Sequence, residues 1–317
     1  MSELIVIIIG ILCGLIVISG FVVSQLILYP RVRNEEAVYQ REIKTKRFPE
    51  EFYSRLDKEE VWIQSDYGYS LSCTILDNEI TKSPEHKHKI AIFCHGYKCS
   101  KTASIVYAKI LMEMGYTALI YDHRNHGSSG KKFTSMGFYE KHDLKKIVDW
   151  CYKHYGKEIQ VVTHGESMGS ATVLSHLTID QRVTAVIADC GYSDLIDLLK
   201  HQLKTYCHLP SQPFLFLSIL FIKLRGGFYA KEVSPQLGAY NSKTPILFIH
   251  GDSDNYVPTW MTVKMYEKRS GPKQLFLSRG AKHALSCVAD YEKYCQVIHE
   301  FIHSVEDGQY SSTSCEE

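Results

Sequence analysis

Three regimes of hydrophobic patterning divide the chain. From Leu4 to Leu28 there are 25 residues without a charge, interrupted only by Ser19, Ser24 and Gln25 among the polar types. A helix of that length measures about 37 Å, enough to cross a hydrocarbon core of about 30 Å. Residues 29–58 are charged and helix-prone and read as a juxtamembrane linker. From 59 to 305, short apolar runs alternate with longer stretches of helical period. VWIQ and YSLSCTIL flank the turn SDYGY as a hairpin, and IAIFC, TALIYD, IQVVTH, VTAVIAD, PILFIH and QLFLS follow, separated by helical segments. That alternation predicts an α/β fold with a mostly parallel central sheet flanked by helices.

The rhythm breaks between residues 191 and 243, where no strand is expected. A structureless loop of that length is improbable in a compact domain, so the segment reads as a small helical cap. It holds FLFLSILFI at 214–222, too short to span a bilayer, which fits either a buried cap helix or a lipid-facing, acyl-binding lid. The polar residues 306–317 read as a flexible tail.

Charge changes the picture little: 36 Lys plus Arg against 35 Asp plus Glu leaves a net +1, which argues against a nucleic-acid partner. Hydrophobic residues at 45% supply ample core. For the first segment a cleaved signal peptide competes with a single-pass transmembrane anchor. The three residues before the run lack a signal's basic start, and the run is longer than a usual signal core, so an anchor is expected. Arg31, Arg33 and Arg41 follow the segment and place the bulk of the chain on the cytoplasmic side. Ten cysteines without paired spacing agree with reduced thiols there.

The chemistry concentrates in HGESMGS, where Ser167 sits in a GxSxG frame between an expected strand and an expected helix. Such an elbow exposes a serine hydroxyl at the C-terminal edge of a sheet. A hydroxyl needs a base, and the base an orienting acid. Asp254, in HGDSDNYVP, and His283, in LSRGAKHALS, each lie in the loop after a strand and in the chain order serine, acid, histidine. Asp252 and Asp189 are the competing acids, and Asp252 reads more simply as a turn residue. An oxyanion hole is expected from the Met168 amide and from the loop HGYKCS, where His95, Gly96 and Tyr97 are available and Tyr97 is the donor chosen. His95, His123, His126 and His164 gather near the strand ends, but motif loops account for each; neither metal nor cofactor is expected.

These motifs resemble the α/β-hydrolase superfamily. YDHRNHGSSG is similar to its DxRGHGxS loop, with Asn125 in place of a glycine, and HGDSDNYVP to the element that carries its acid. SMGFYEKHDL and the anchor resemble bacterial membrane-anchored members of the serine aminopeptidase or lysophospholipase-like branch. The resemblance covers about 61–305 and implies the α/β-hydrolase fold, a small helical cap and a serine hydrolase. The reading expected is hydrolysis of a carboxylic ester, acyl or lipid-derived, through Ser167, His283, Asp254 and an acyl-enzyme. Soluble esters or thioesters, short peptides, acyl transfer and a non-catalytic scaffold stand as alternatives, and oligomeric state is left open.

Overall fold

A computed structural model describes residues 2–86 and 88–309. The tail expected at 306–317 lies mostly outside them. The chain starts with α1 (Ser2–Leu28), which is apolar on every side, followed by α2 (Glu35–Lys44) and α3 (Glu50–Ser54). Asn34 caps α2 by accepting the Ala37 amide at 2.8 Å. The first strand, β1 (Asp57–Gln64), begins inside the stretch read as linker.

Eight strands form one sheet. β1 and β2 (Ser70–Asp77) make the expected hairpin, with Val61 opposite Cys73. β3 (Lys89–Cys94), β4 (Thr117–Tyr121), β5 (Gln160–Glu166), β6 (Ala185–Asp189), β7 (Ile246–Gly251) and β8 (Lys273–Ser278) are mutually parallel. The spatial order is β1-β2-β4-β3-β5-β6-β7-β8, and β2 alone runs against the other seven, antiparallel to both β1 and β4. The sheet is mostly parallel and flanked by helices, as the alternating pattern predicts.

Every residue of β4 and β6 is buried, which is why these strands read as unbroken apolar runs. One sheet face, carrying Ala91, Phe93, Ile120 and Ile187, packs on α4 (Ile105–Met112) and, later in the chain, on α11 (Ser286–Ala289) and α12 (Tyr291–Glu306). The opposite face, carrying Ile90, Ile92, Val161 and Phe248, packs on α5 (Glu140–Tyr155), α6 (Met168–His176), α9 (Pro235–Asn241) and α10 (Trp260–Lys268). Successive strand residues thus alternate between the two cores.

Between β6 and β7 the chain forms α7 (Leu195–Tyr206) and α8 (Phe214–Gly226) before α9. With Leu28 of α1 and Met168 of α6 they build a third apolar cluster, above the C-terminal edge of the sheet. α8 runs parallel to the last turns of α1: Leu217 and Ser218 lie against Gly20, Phe221 meets Phe21 edge-on at 5.7 Å, and the Arg225 Nη1 donates to Ser24 Oγ at 2.8 Å. Within the apolar segment 214–222, Leu215, Ser218 and Ile222 are buried, whereas Phe216 and Leu220 are exposed.

Candidate active site

The strand-to-helix turn after β5 holds Ser167 at φ +57° and ψ −111°, a backbone region that non-glycine residues rarely occupy. The conformation persists because its surroundings leave no alternative. The Ser167 amide donates to the Asp189 carbonyl at 2.9 Å. A Cβ on Gly169 would sit 1.9 Å from the Cys94 carbonyl oxygen, and one on Gly165 would sit 2.3 Å from the Gly169 backbone. The two glycines let α6 start immediately above the sheet, with its N-terminal dipole beneath Ser167.

The three residues predicted from the sequence meet at the C-terminal edge of the sheet. Ser167 Oγ lies 2.9 Å from His283 Nε2, and His283 Nδ1 lies 2.7 Å from Asp254 Oδ2. Asp254 Oδ1 accepts the amides of Tyr256 and Val257 at 2.8 and 2.9 Å. A carboxylate can only accept, so His283 carries its proton on Nδ1 and leaves Nε2 free to take the serine hydroxyl's hydrogen. Burial would raise the Asp254 pKa, but hydrogen bonds from His250 and His283 outweigh it and hold the carboxyl well below the usual range.

The competing acids lie elsewhere. Asp252 Oδ1 accepts the Gly280 amide at 2.7 Å, and the Asp252 amide donates to the Ser278 carbonyl at 3.0 Å. It ties the loop carrying Asp254 to the loop carrying His283. Asp189 is buried beneath the elbow and accepts the Tyr294 hydroxyl at 2.9 Å.

Met168 is the first residue of α6, and Tyr97 lines the same cavity as Ser167. The loop bearing Tyr97 is pressed onto the elbow: a Cβ on Gly96 would lie 3.7 Å from Ser167 Cβ. The clustered histidines hold this loop. His126 Nε2 accepts the Lys98 amide at 3.1 Å while its Nδ1 donates to the Arg124 carbonyl. His95 Nε2 accepts the His123 amide at 3.0 Å and its Nδ1 donates to the Gly96 carbonyl. Burial drives the pKa of His95 to about 4 and of His126 to about 3, so both stay neutral and keep these tautomers. Among the described residues no three His, Cys, Asp or Glu side chains converge as a metal site. Asn125 takes φ +62°, the left-handed conformation a glycine would adopt there, so the loop keeps its path.

Three features escape a reading of the sequence. His250 donates from Nε2 to Asp254 Oδ2 at 3.1 Å and to the Val257 carbonyl at 2.9 Å, steadying the acid from its own strand. Arg47, from the segment after α2, reaches Glu166 next to Ser167. Leu26 and Ile27 of α1 line the cavity of about 190 Å³ above Ser167, together with Leu195, Leu198 and Leu199 of α7. The Tyr97 hydroxyl donates to the Leu26 carbonyl and the Thr134 amide to the Leu28 carbonyl, so the end of α1 is bonded to the site's own loops.

Residues 85–192 match the family described as serine aminopeptidase, S33. The uncharacterized protein YqkD of Bacillus subtilis is 34% identical over 301 residues, covering 94% of this chain and 97% of that one. The Pyrococcus furiosus esterase Pf2001 superposes with a TM-score of 0.65 at 24% identity, over 80% of this chain and 92% of that chain. Est1E of Butyrivibrio proteoclasticus, with ferulic acid bound, gives 0.60 at 19% identity, over 77% and 99%. A near full-length relative at this identity, an eight-stranded sheet in this order and a GxSxG elbow after its fifth strand together establish that the chain belongs to the α/β-hydrolase superfamily.

Proposed function

We propose that the protein is a membrane-anchored serine hydrolase that cleaves carboxylic esters with an apolar acyl chain. The observation that carries this reading is the relay Ser167–His283–Asp254, at 2.9 and 2.7 Å, opening into a cavity walled by leucines and isoleucine. In the proposed reaction, His283 Nε2 takes the Ser167 proton as Oγ attacks the acyl carbonyl. Asp254 holds the Nδ1–H tautomer and stabilises the imidazolium. The amides of Tyr97 and Met168 receive the oxyanion. His283 then protonates the departing alcohol, and a water activated by the same imidazole releases the acid from the acyl-enzyme.

Lining chemistry favours an ester over a peptide with a free N-terminus. Holding an α-ammonium group in a partly desolvated pocket calls for a carboxylate, and no Asp or Glu is among the residues lining this cavity. The anchor reading is supported by the packing of α1: Ser24 and Leu28 are fully buried, and Leu26 and Ile27 line the cavity, contacts that cleavage of a signal would discard. Arg31, Arg33 and Arg41 support a cytoplasmic catalytic domain.

The test is labelling with a fluorophosphonate probe, comparing the wild type with Ser167→Ala and His283→Ala, followed by turnover of nitrophenyl esters from acetyl to octanoyl. The wild type alone is expected to label, with kcat/KM rising with chain length. A folded wild type that does not label would sink the enzyme reading, and a preference for acetyl over octanoyl would sink the acyl-chain reading.

A further inference from the structure

We propose that the cap helix α8 is embedded in the membrane leaflet beside α1, so that the cavity above Ser167 draws its acyl substrate from the bilayer rather than from water. The inference rests on the anchor reading of α1 and adds a second membrane element, the helix packed beside it.

The first argument is length. From Glu3 to Leu15 every residue of α1 is exposed, and contact with the rest of the chain begins at Ile16. Those 13 residues rise only about 20 Å, against a hydrocarbon core of about 30 Å. The missing 10 Å must come from the next turns of α1, around Ile16–Val22. At that level α1 does not stand alone: Leu217 and Ser218 press on Gly20, and Phe221 on Phe21. If α1 spans, the first half of α8 enters the leaflet with it. The depth, about 10 Å, is that of interfacial helices.

The second argument is what α8 shows to its surroundings. Phe216 is 61% exposed, Leu220 40% and Leu224 69%, a stripe at i, i+4 and i+8 along one side of the helix. A helix facing water carries polar residues at those positions. On the neighbouring turns of α1, Val17, Phe21 and Val22 are exposed as well. Charge begins only at the domain end of α8, where Lys223 and Arg225 precede Gly226. Arg225 lies over the rings of Phe21 and Tyr29 at 4.4 and 5.1 Å, the amphipathic grouping that suits the headgroup level.

The consequence is an entry route. The wall made by Leu26 and Ile27 lies within the α1–α8 contact, between the Ser24–Arg225 and Leu28–Gly226 approaches, so in this proposal an acyl chain in that leaflet reaches Ser167 without crossing water.

The test uses full-length protein in phosphatidylcholine vesicles, with and without bromines on the upper acyl chain. Ile9→Trp, Phe216→Trp and Leu220→Trp are compared after subtraction of the wild-type emission from Trp62, Trp150 and Trp260. Quenching by brominated lipid is expected at all three new positions. Quenching at Ile9→Trp alone would overturn the proposal while leaving the anchor in place, whether α8 then faces water or another protein chain. Quenching at none of the three would overturn the proposal and the anchor reading with it. In parallel, Leu220→Glu is expected to keep the wild-type turnover of a short soluble ester and to lose at least about tenfold on a long-chain ester presented in vesicles. Equal losses on both substrates, or none on either, would count against entry from the leaflet.

Discussion

Arg47 places its Nη2 2.5 Å from the Oε2 of Glu166, the residue immediately before Ser167, across 119 positions of sequence. Tyr107 donates its hydroxyl to the same oxygen, and Glu42 of α2 lies 3.1 Å from Arg47 Nε. Burial would raise the Glu166 pKa, but the charge of Arg47 and the bonds from Arg47 and Tyr107 prevail and lower it. The segment between α1 and β1 thus reaches the back of the elbow and fixes a buried ion pair there.

Breaking that pair from one side strands a charge. Arg47→Ala is expected to cost about 3–5 kcal/mol of stability, because Glu166 then lacks its counter-ion in a dry site. Replacing the whole group, Arg47→Met with Glu42→Gln and Glu166→Gln, is expected to recover most of the loss. Denaturant unfolding in detergent checks this; a single variant as stable as the wild type would show that the pair braces nothing.

Two other carboxyls give stability the opposite pH dependence. Burial pushes Asp143 and Asp189 up to about 7, against ordinary values near 4. A carboxyl with a raised folded pKa contributes stability that is complete below its unfolded pKa and is lost as pH rises through about 7, at no more than about 1.4 kcal/mol per pH unit for each group. Glu166 and Asp254, held low, contribute above the unfolded carboxyl pKa and lose that contribution as pH falls. Asp143 accepts hydroxyls from Ser65 and Tyr69, both at 2.6 Å. Asp143→Asn removes its titration, so the variant is expected to gain on the wild type between pH 4 and 7 and to hold that difference above. A constant difference across the range would mean that Asp143 is ionised throughout.

The wall of the cavity sets a chain-length limit. Ile27 lines it from α1 opposite the leucines of α7. Ile27→Trp fills that space, and kcat/KM for an octanoyl ester is expected to fall at least about tenfold while acetyl turnover stays within about threefold, the range that hydrophobic pocket contacts supply. Equal losses on both esters would place the acyl chain elsewhere.

Strands, hairpin and elbow were legible because their signals are local. A buried parallel strand is an apolar run, and Ser167, Asp254 and His283 each follow one. What stayed hidden depends on contacts between distant segments. Nothing in a charged linker distinguishes Arg47 from its neighbours until α4 and the elbow fold against it. Leu26 and Ile27 read as two more residues of a membrane span, because an apolar run gives no sign of which turns meet protein and which meet lipid. The segment 214–222 kept two readings for the same reason, and the structure divides it between a face on α1 and a face exposed.

The division of α1 into a free part and a docked part yields the last prediction. Residues 3–15 are exposed throughout, whereas Leu28 is fully buried in the cluster that includes Met168, and the Leu26 and Leu28 carbonyls accept from Tyr97 and Thr134. Removing residues 2–15 shortens the apolar helix below the length of a span but takes away no contact of the fold, so turnover of a short ester in detergent is expected to match the wild type. Removing residues 2–28 deletes one wall of the cavity, releases the Tyr97 loop and exposes the surface that Leu28 covered, worth about 1.5–3 kcal/mol for that side chain alone. Turnover of the same ester is expected to fall at least about tenfold, with a lower melting temperature. If the longer deletion left both unchanged, α1 would be a tether and nothing more. The contrast between the two deletions separates an anchor that merely holds the enzyme at a membrane from one that forms part of its binding site.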